Sequence, residues 1–172
     1  VSMVLNELGI KSKAMGFVAG FTGAAIEKGL TDAGIETDFV HLNKGFTRIN
    51  VKIKSHAETE LNGQGPEIPI EKLDELFDRL DEIKDGDGVI LAGSIPSYLP
   101  SDIYERILER LKDRNIRAVV DATDDLLVNV LKYRPFLIKP NNFELGDIFG
   151  VTINTNEEIV KYAGKLKDMG AV

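Results

Sequence analysis

DGVILAGSIPSYLPSDIYERILERLKDRNIRAVVDATDDLLVNVLKYRPFLIKPNNFE, residues 87–144, carries three short apolar runs, DGVILAG, IRAVVDA and PFLIK. Each is too short for a helix and too uniformly apolar for a strand with one wet face, so each reads as a buried strand. Between them, apolar residues recur at helical spacing, which predicts helices near Asp102–Arg114 and Asp124–Lys132; a further helix follows PNNFE. Apolar strands alternating with amphipathic helices predict a parallel α/β sheet covered on both faces.

The same grammar extends outward. A helix is predicted from about Ile70 to Ile83 and another from about Asn156 to Met169. Near the start, VSMVLNELG has helical spacing and stops at Gly9, KSKAMGFVAG contains a strand from Met15 to Ala19, and Thr22 is placed to cap a helix from Gly23 to Ala33 that ends at Gly34. Between Ile35 and Leu61 the texture changes. IETDFVHLN, FTRINVKIK and AETELN alternate polar and apolar residues, as half-buried antiparallel strands do, and GQGPEIP (63–69) is a turn-rich return to the main body. The expected organisation is therefore an α/β core in residues 1–34 and 62–172, with a small antiparallel β lid in 35–61.

Composition excludes several function classes. A net charge of −7 is a poor match for a nucleic-acid surface, because such binding rests on neutralising phosphates with Lys and Arg. It leaves room for a phosphorylated small molecule, which a few local cations and a metal can hold. Without cysteine there is no disulfide and no thiolate nucleophile, and His41 and His56 are too few for a usual zinc site. No apolar run is long enough to span a membrane, and the opening residues lack a signal-peptide pattern, so a cytoplasmic enzyme is expected.

Ligands of open α/β sheets bind beyond the carboxyl ends of the strands. Four segments fall there or over it: Gly93-Ser94, Asp121, Lys139 to Glu144, and the lid. In KPNNFE, Pro140 pushes Lys139 out of the helix, while Asn141 and Glu144, three apart, share one face of the first turn. A cation, an amide and a carboxylate at one strand end suit a phosphate chain and its Mg²⁺. The same letters also describe an ordinary helix start, with Asn141 or Asn142 capping and Glu144 favoured by the dipole. In TRIN, Arg48 can grip a phosphate with its planar fork or be a solvated strand arginine, and it alternates with Asn50 and Lys52 on one polar side. AGSIP ends its strand in small residues that allow close backbone approach at Gly93 and Ser94, as an ordinary loop also does. Asp121 suits a metal, a base or a loop cap. GFVAGFTG fits neither the P-loop nor the dinucleotide pattern and reads as a packing turn. His41 and His56 read as structural or solvent-facing.

TRINVKI (47–53), ETELNGQGPEI (58–68), AGSIP (92–96) and KPNNFEL (139–145), in this order and spacing, resemble the ribokinase-like (PfkB) carbohydrate kinases, and most closely their fructose-1-phosphate branch. The resemblance implies a ribokinase-like parallel sheet flanked by helices with a small antiparallel β lid, and ATP- and Mg²⁺-dependent phosphorylation of fructose 1-phosphate, or a related sugar phosphate, at its 6-hydroxyl. It implies that Arg48 and Asn50, with Gly93 and Ser94, serve the sugar phosphate, that Lys139, Asn141 and Glu144 serve ATP, that Glu144 and Asp121 serve the metal, and that the lid pairs with that of a second subunit in a homodimer. The family's GAGD segment, with its general-base Asp, occurs nowhere in the sequence, nor does the GGKG-type turn expected upstream. Family members run to about twice this length, so the chain is expected to be truncated at both ends and inactive alone. The neighbouring readings are a tagatose-6-phosphate kinase and a non-catalytic domain that binds sugar phosphate or dimerises.

Overall fold

The computed structural model describes residues 1–55, 58–93, 95–96 and 98–172, so His56 and Ser94 lie outside the described residues. The chain forms two compact units, Val1–Asp78 and Arg79–Val172.

The first unit runs through α1 (Ser2–Glu7), β1 (Lys13–Ala19), α2 (Gly20–Asp32), β2 (Glu36–Leu42), β3 (Asn50–Lys54), β4 (Glu58–Asn62) and most of α3 (Ile70–Leu80). β1 and β2 pair in parallel, in register from Lys13 with Glu36 to Ala19 with Leu42, and α2 packs on both. Val18, Ala19, Ile35, Val40 and Leu42 form the buried centre of this layer. At the end of α2, Gly34 adopts φ +78°, Gly34 N–H donates to the Thr31 carbonyl (2.9 Å) and Ile35 N–H to that of Leu30 (3.0 Å). This double closure satisfies the last carbonyls of the helix and needs a left-handed residue, which glycine supplies without strain.

Three details differ from the sequence reading. Residues 36–42 are parallel to β1, whereas their alternation suggested an antiparallel strand. Alternation reports burial of one face, not direction, and the helical crossover of α2 returns the chain parallel. Helix α2 begins at Gly20, three residues early, and Thr22 caps nothing: its hydroxyl donates instead to the carbonyl of Thr47 (2.8 Å). Arg48 precedes β3, which starts at Asn50, so the shared strand face holds Asn50 and Lys52 but not Arg48.

β3 and β4 form a separate antiparallel ribbon, from Asn50 opposite Asn62 to Lys54 opposite Glu58. One face carries Val51 opposite Leu61 and Ile53 opposite Thr59, all three aliphatic residues exposed; the other carries the Lys52–Glu60 ion pair (2.5 Å).

The second unit holds β5 (Gly88–Ala92), α4 (Ile103–Leu111), β6 (Arg117–Asp121), α5 (Asp124–Val130), a 3-10 turn (Leu131–Tyr133), β7 (Leu137–Ile138), α6 (Asn142–Phe149) and α7 (Asn156–Asp168). The strands lie in the order β5-β6-β7, all parallel. Val89 and Leu91 of β5 and Ala118 and Val120 of β6 are buried, as are Ile103, Tyr104, Ile107, Leu108 and Leu111 along one side of α4. Helices α4, α5, α6 and α7 pack successively, each on the next. The architecture is thus parallel strands flanked by helices with one antiparallel ribbon, the parallel strands falling into two hydrogen-bonded groups.

Leu127 of α5 has no solvent exposure, so Leu127→Ala leaves a cavity and is expected to cost about 2–5 kcal/mol in urea denaturation. Val160→Ala on α7, where the side chain is 72% exposed, is expected to stay within about 0.5 kcal/mol of the parent.

Candidate active site

Parallel pairing in the second unit brings the ends of β5, β6 and β7 to one edge. Asp121 is the last residue of β6. Lys139 follows β7 directly, and its N–H donates to the carbonyl of Val120 (3.2 Å), extending the β6–β7 ladder by one bond. That bond sets the two side chains next to each other, and Lys139 Nζ lies 3.0 Å from Asp121 Oδ1. The hydrogen bond and charge of Asp121, with a further contribution from the charge of Glu144, hold the Lys139 ammonium above the ordinary lysine range. Both partners are substantially exposed, so the pair contributes little to stability and its charges are accessible to a ligand.

Pro140 then ends the extended segment, and Asn141 starts α6 with an extended backbone. Asn141 Oδ1 accepts from the N–H groups of Phe143 (2.8 Å) and Glu144 (3.0 Å), and Glu144 Oε2 accepts from the N–H of Asn141 (2.7 Å). This is a complete capping box. The capping reading of KPNNFE is therefore realised, and it has a chemical consequence: each side chain is held in one orientation by one of its oxygens. The asparagine amide nitrogen and the second glutamate oxygen take no part in the cap.

At the end of β5, Gly93 has φ +95°, and the space where a Cβ would stand is open within 4 Å. The backbone conformation, not crowding, requires glycine here. Its carbonyl accepts the hydroxyl of Tyr104 (2.9 Å). Tyr104 is buried on α4; burial first, and the charge of Asp121 second, push its phenol above the usual tyrosine range. Sequence reading passed over this residue as one more apolar position on the helix. The available signal was a phenol on an otherwise aliphatic stripe, since a buried tyrosine hydroxyl needs a partner.

In the first unit, Thr47 is tied to the carboxyl end of β1. Its N–H donates to the Ala19 carbonyl (2.9 Å), its hydroxyl accepts from Ala19 N–H (2.8 Å), and its own carbonyl accepts from Thr22. Gly23 permits this: a Cβ there would press on Thr47 Oγ1 and on Val18, both at 2.9 Å. GFVAGFTG is the packing turn that its composition suggested, and it seats the loop from which the exposed Arg48 emerges. Asn50, also exposed, opens β3 opposite Asn62. His41 stands on β2 with Nε2 3.2 Å from Glu27 Oε2, in keeping with a surface role.

Among the described residues no group of three or more His, Cys, Asp or Glu is arranged to hold a metal, and no helix is long and apolar enough to cross a membrane. Asp121 and Glu144, with one oxygen each already engaged, do not make an all-protein cage. They do fit the manner in which Mg²⁺ is held by one or two carboxylates, water and the phosphates of a nucleotide.

The model of the pfkB family of carbohydrate kinases matches residues 1–172. The chain belongs to that family. It is 47% identical to a 1-phosphofructokinase of Bacillus subtilis over 99% of this chain and 56% of that protein, and 36% identical to a D-tagatose-1-phosphate kinase of Bacillus licheniformis over 99% of this chain and 56% of that protein. Its fold matches the phosphofructokinase-2 of Escherichia coli, crystallised with substrates and products, at a TM-score of 0.89 and 21% identity, over 98% of this chain and 56% of that one. The chain spans about half the length of the curated relatives it matches.

Two tests separate capping from charge at this edge. Asn141→Ala is expected to cost about 0.5–2 kcal/mol in thermal or urea unfolding, while Asn141→Asp, which keeps the capping oxygen, stays near the parent. Asp121→Asn is expected to lower the Lys139 pKa measured by NMR toward the ordinary lysine value. The sign follows from the raised native pKa: whatever the pair contributes is fully present below the unfolded-state lysine pKa and is lost as pH rises through the higher native value.

Proposed function

We propose that the chain carries the phosphate-handling and sugar-handling parts of an ATP-dependent kinase for a ketohexose 1-phosphate, foremost fructose 1-phosphate, acting on its 6-hydroxyl. The carrying observation is the edge of β5-β6-β7, where Lys139, Asn141 and Glu144 are aligned by a ladder bond and a capping box. The relatives support the substrate class: fructose and tagatose are epimers at carbon 4, and both named substrates bear their phosphate on carbon 1.

Phosphoryl transfer asks mainly for positioning and for neutralisation of charge on the moving group. ATP supplies that group, and Mg²⁺ spreads the negative charge of its phosphates. Lys139 releases Asp121 to pair with a phosphate oxygen, a trade of one anion for another that its exposed, charged ammonium makes easy. With a nucleotide and its metal bound, Asp121 would be free for the metal's water shell, Glu144 would have its second oxygen available to the same metal, and Asn141 would have its amide N–H available to a phosphate oxygen. In the first unit, Arg48 would grip a phosphate already on the sugar and Asn50 would serve the same ligand; in the second, Gly93 is assigned to the sugar by resemblance to the family, and so is Ser94, which lies outside the described residues. Proton removal from the 6-hydroxyl is assigned to no residue of this chain, which contains no GAGD.

The β3–β4 ribbon is proposed as the lid, a narrower segment than the 35–61 expected from sequence. Its exposed aliphatic face of Val51, Ile53 and Leu61 supports pairing with the ribbon of a second subunit. An enzyme of this chemistry works in the cytoplasm, where ATP and sugar phosphates are found. The second reading, supported by the Bacillus licheniformis relative, is the same chemistry on tagatose 1-phosphate, in place of the tagatose 6-phosphate that the sequence suggested.

In the full-length protein that carries this chain, ATP consumption is expected with fructose 1-phosphate, at a higher kcat/KM than with tagatose 1-phosphate. Arg48→Ala should raise the KM for the sugar phosphate about tenfold or more, the scale of a lost charge-assisted hydrogen bond, with KM for ATP little changed. Unaltered kinetics in that variant sink the role given to Arg48. Leu61→Lys should shift the sedimentation of the protein from dimer to monomer.

A further inference from the structure

Position 104 lies on the buried stripe of α4, among Ile103, Ile107, Leu108 and Leu111, all aliphatic. A phenol there has to find a partner for its hydroxyl, and it finds the carbonyl of Gly93 at 2.9 Å. That carbonyl belongs to the first residue beyond β5, past the last ladder partner, Ala92 with Asp121. Gly93 sits at φ +95°, and among the described residues no atom lies within 4 Å of where its Cβ would stand. A glycine is the residue least restrained by its own sterics. The Tyr104 hydroxyl is thus the one side-chain hydrogen bond that the described residues show holding this turn.

We infer that Tyr104 is a positioning residue for the sugar site: its hydroxyl fixes the peptide orientation at Gly93 and so shapes the turn that receives the sugar phosphate. The inference rests on the kinase reading above and adds a residue that acts through another. The environment favours a lasting donor. Burial and the charge of Asp121 both oppose ionisation of the phenol, so the O–H remains in place throughout the neutral range. Removing the oxygen while keeping the ring leaves the core filled and frees the turn, so the loss should appear in recognition of the sugar and not in handling of the nucleotide.

The test uses the full-length enzyme with four forms: the parent, Tyr104→Phe, Gly93→Ala and the double variant. For Tyr104→Phe, the KM for fructose 1-phosphate is expected to rise about three- to tenfold, the scale of one net hydrogen bond, with the KM for ATP within about twofold of the parent. Gly93→Ala disturbs the same bond from its other end without touching the core and should show the same split. In its background the Tyr104→Phe change should nearly vanish, because the two act through one contact. A merely structural tyrosine would lower the melting temperature and leave both KM values alone, which overturns the inference; so does full additivity in the double variant. A parent enzyme that phosphorylates no ketohexose 1-phosphate sinks the kinase reading and this one together, whereas an active parent with an unaltered Tyr104→Phe sinks this one alone.

Discussion

Much of the candidate site follows from a single backbone hydrogen bond, Lys139 N–H to the carbonyl of Val120. It continues the parallel ladder one step past β7 and thereby fixes where the strand stops and the chain turns into α6. Parallel neighbours end side by side, so a residue just past one strand lies next to the last residue of the other. For β6 and β7 these residues are Asp121 and Lys139, and opposite charges placed there meet at 3.0 Å without any need for long-range coincidence. Proline at 140 makes the termination sharp, since it restricts the residue before it to extended backbone and is itself suited to a helix start.

The capping box at α6 shows why structural and functional readings of one motif need not compete. Asn141 and Glu144 satisfy helix N–H groups that would otherwise be left bare, and in doing so they lose rotational freedom. A side chain already ordered by the fold does not lose that entropy again when a ligand arrives. The cap therefore leaves one glutamate oxygen and one amide nitrogen outside its own hydrogen bonds. In the first unit, hydrogen bonds linking Thr47 to Ala19 and Thr22 seat a loop whose next residue is Arg48.

Residue patterns made the class of fold legible, together with the carboxyl-edge location of Gly93, Asp121 and Lys139 and the capping use of KPNNFE. These depend on local rules: periodicity, the restriction imposed by Pro140, and the spacing of residues on one helical turn. The direction of β2 was not legible, because alternation measures which face is wet and is the same for either direction. Nor was the true start of α2, since the shorter hydrogen bond of the Thr22 hydroxyl goes to Thr47, twenty-five residues away, and caps no helix N–H. Tyr104 stayed hidden for a related reason. Its ring obeys the helical stripe, and only its oxygen departs from it.

What the letters settle alone, then, is everything governed by neighbours within about one helical turn or one strand: the elements, their buried faces and the capped start at Asn141. What required the folded chain is every pairing between residues far apart in sequence: Thr47 with Ala19, Tyr104 with Gly93, Lys139 with Asp121. The physical division is between short-range sterics, which each residue carries with it, and hydrogen bonds and charges, whose partners exist only once packing has brought distant backbone into reach.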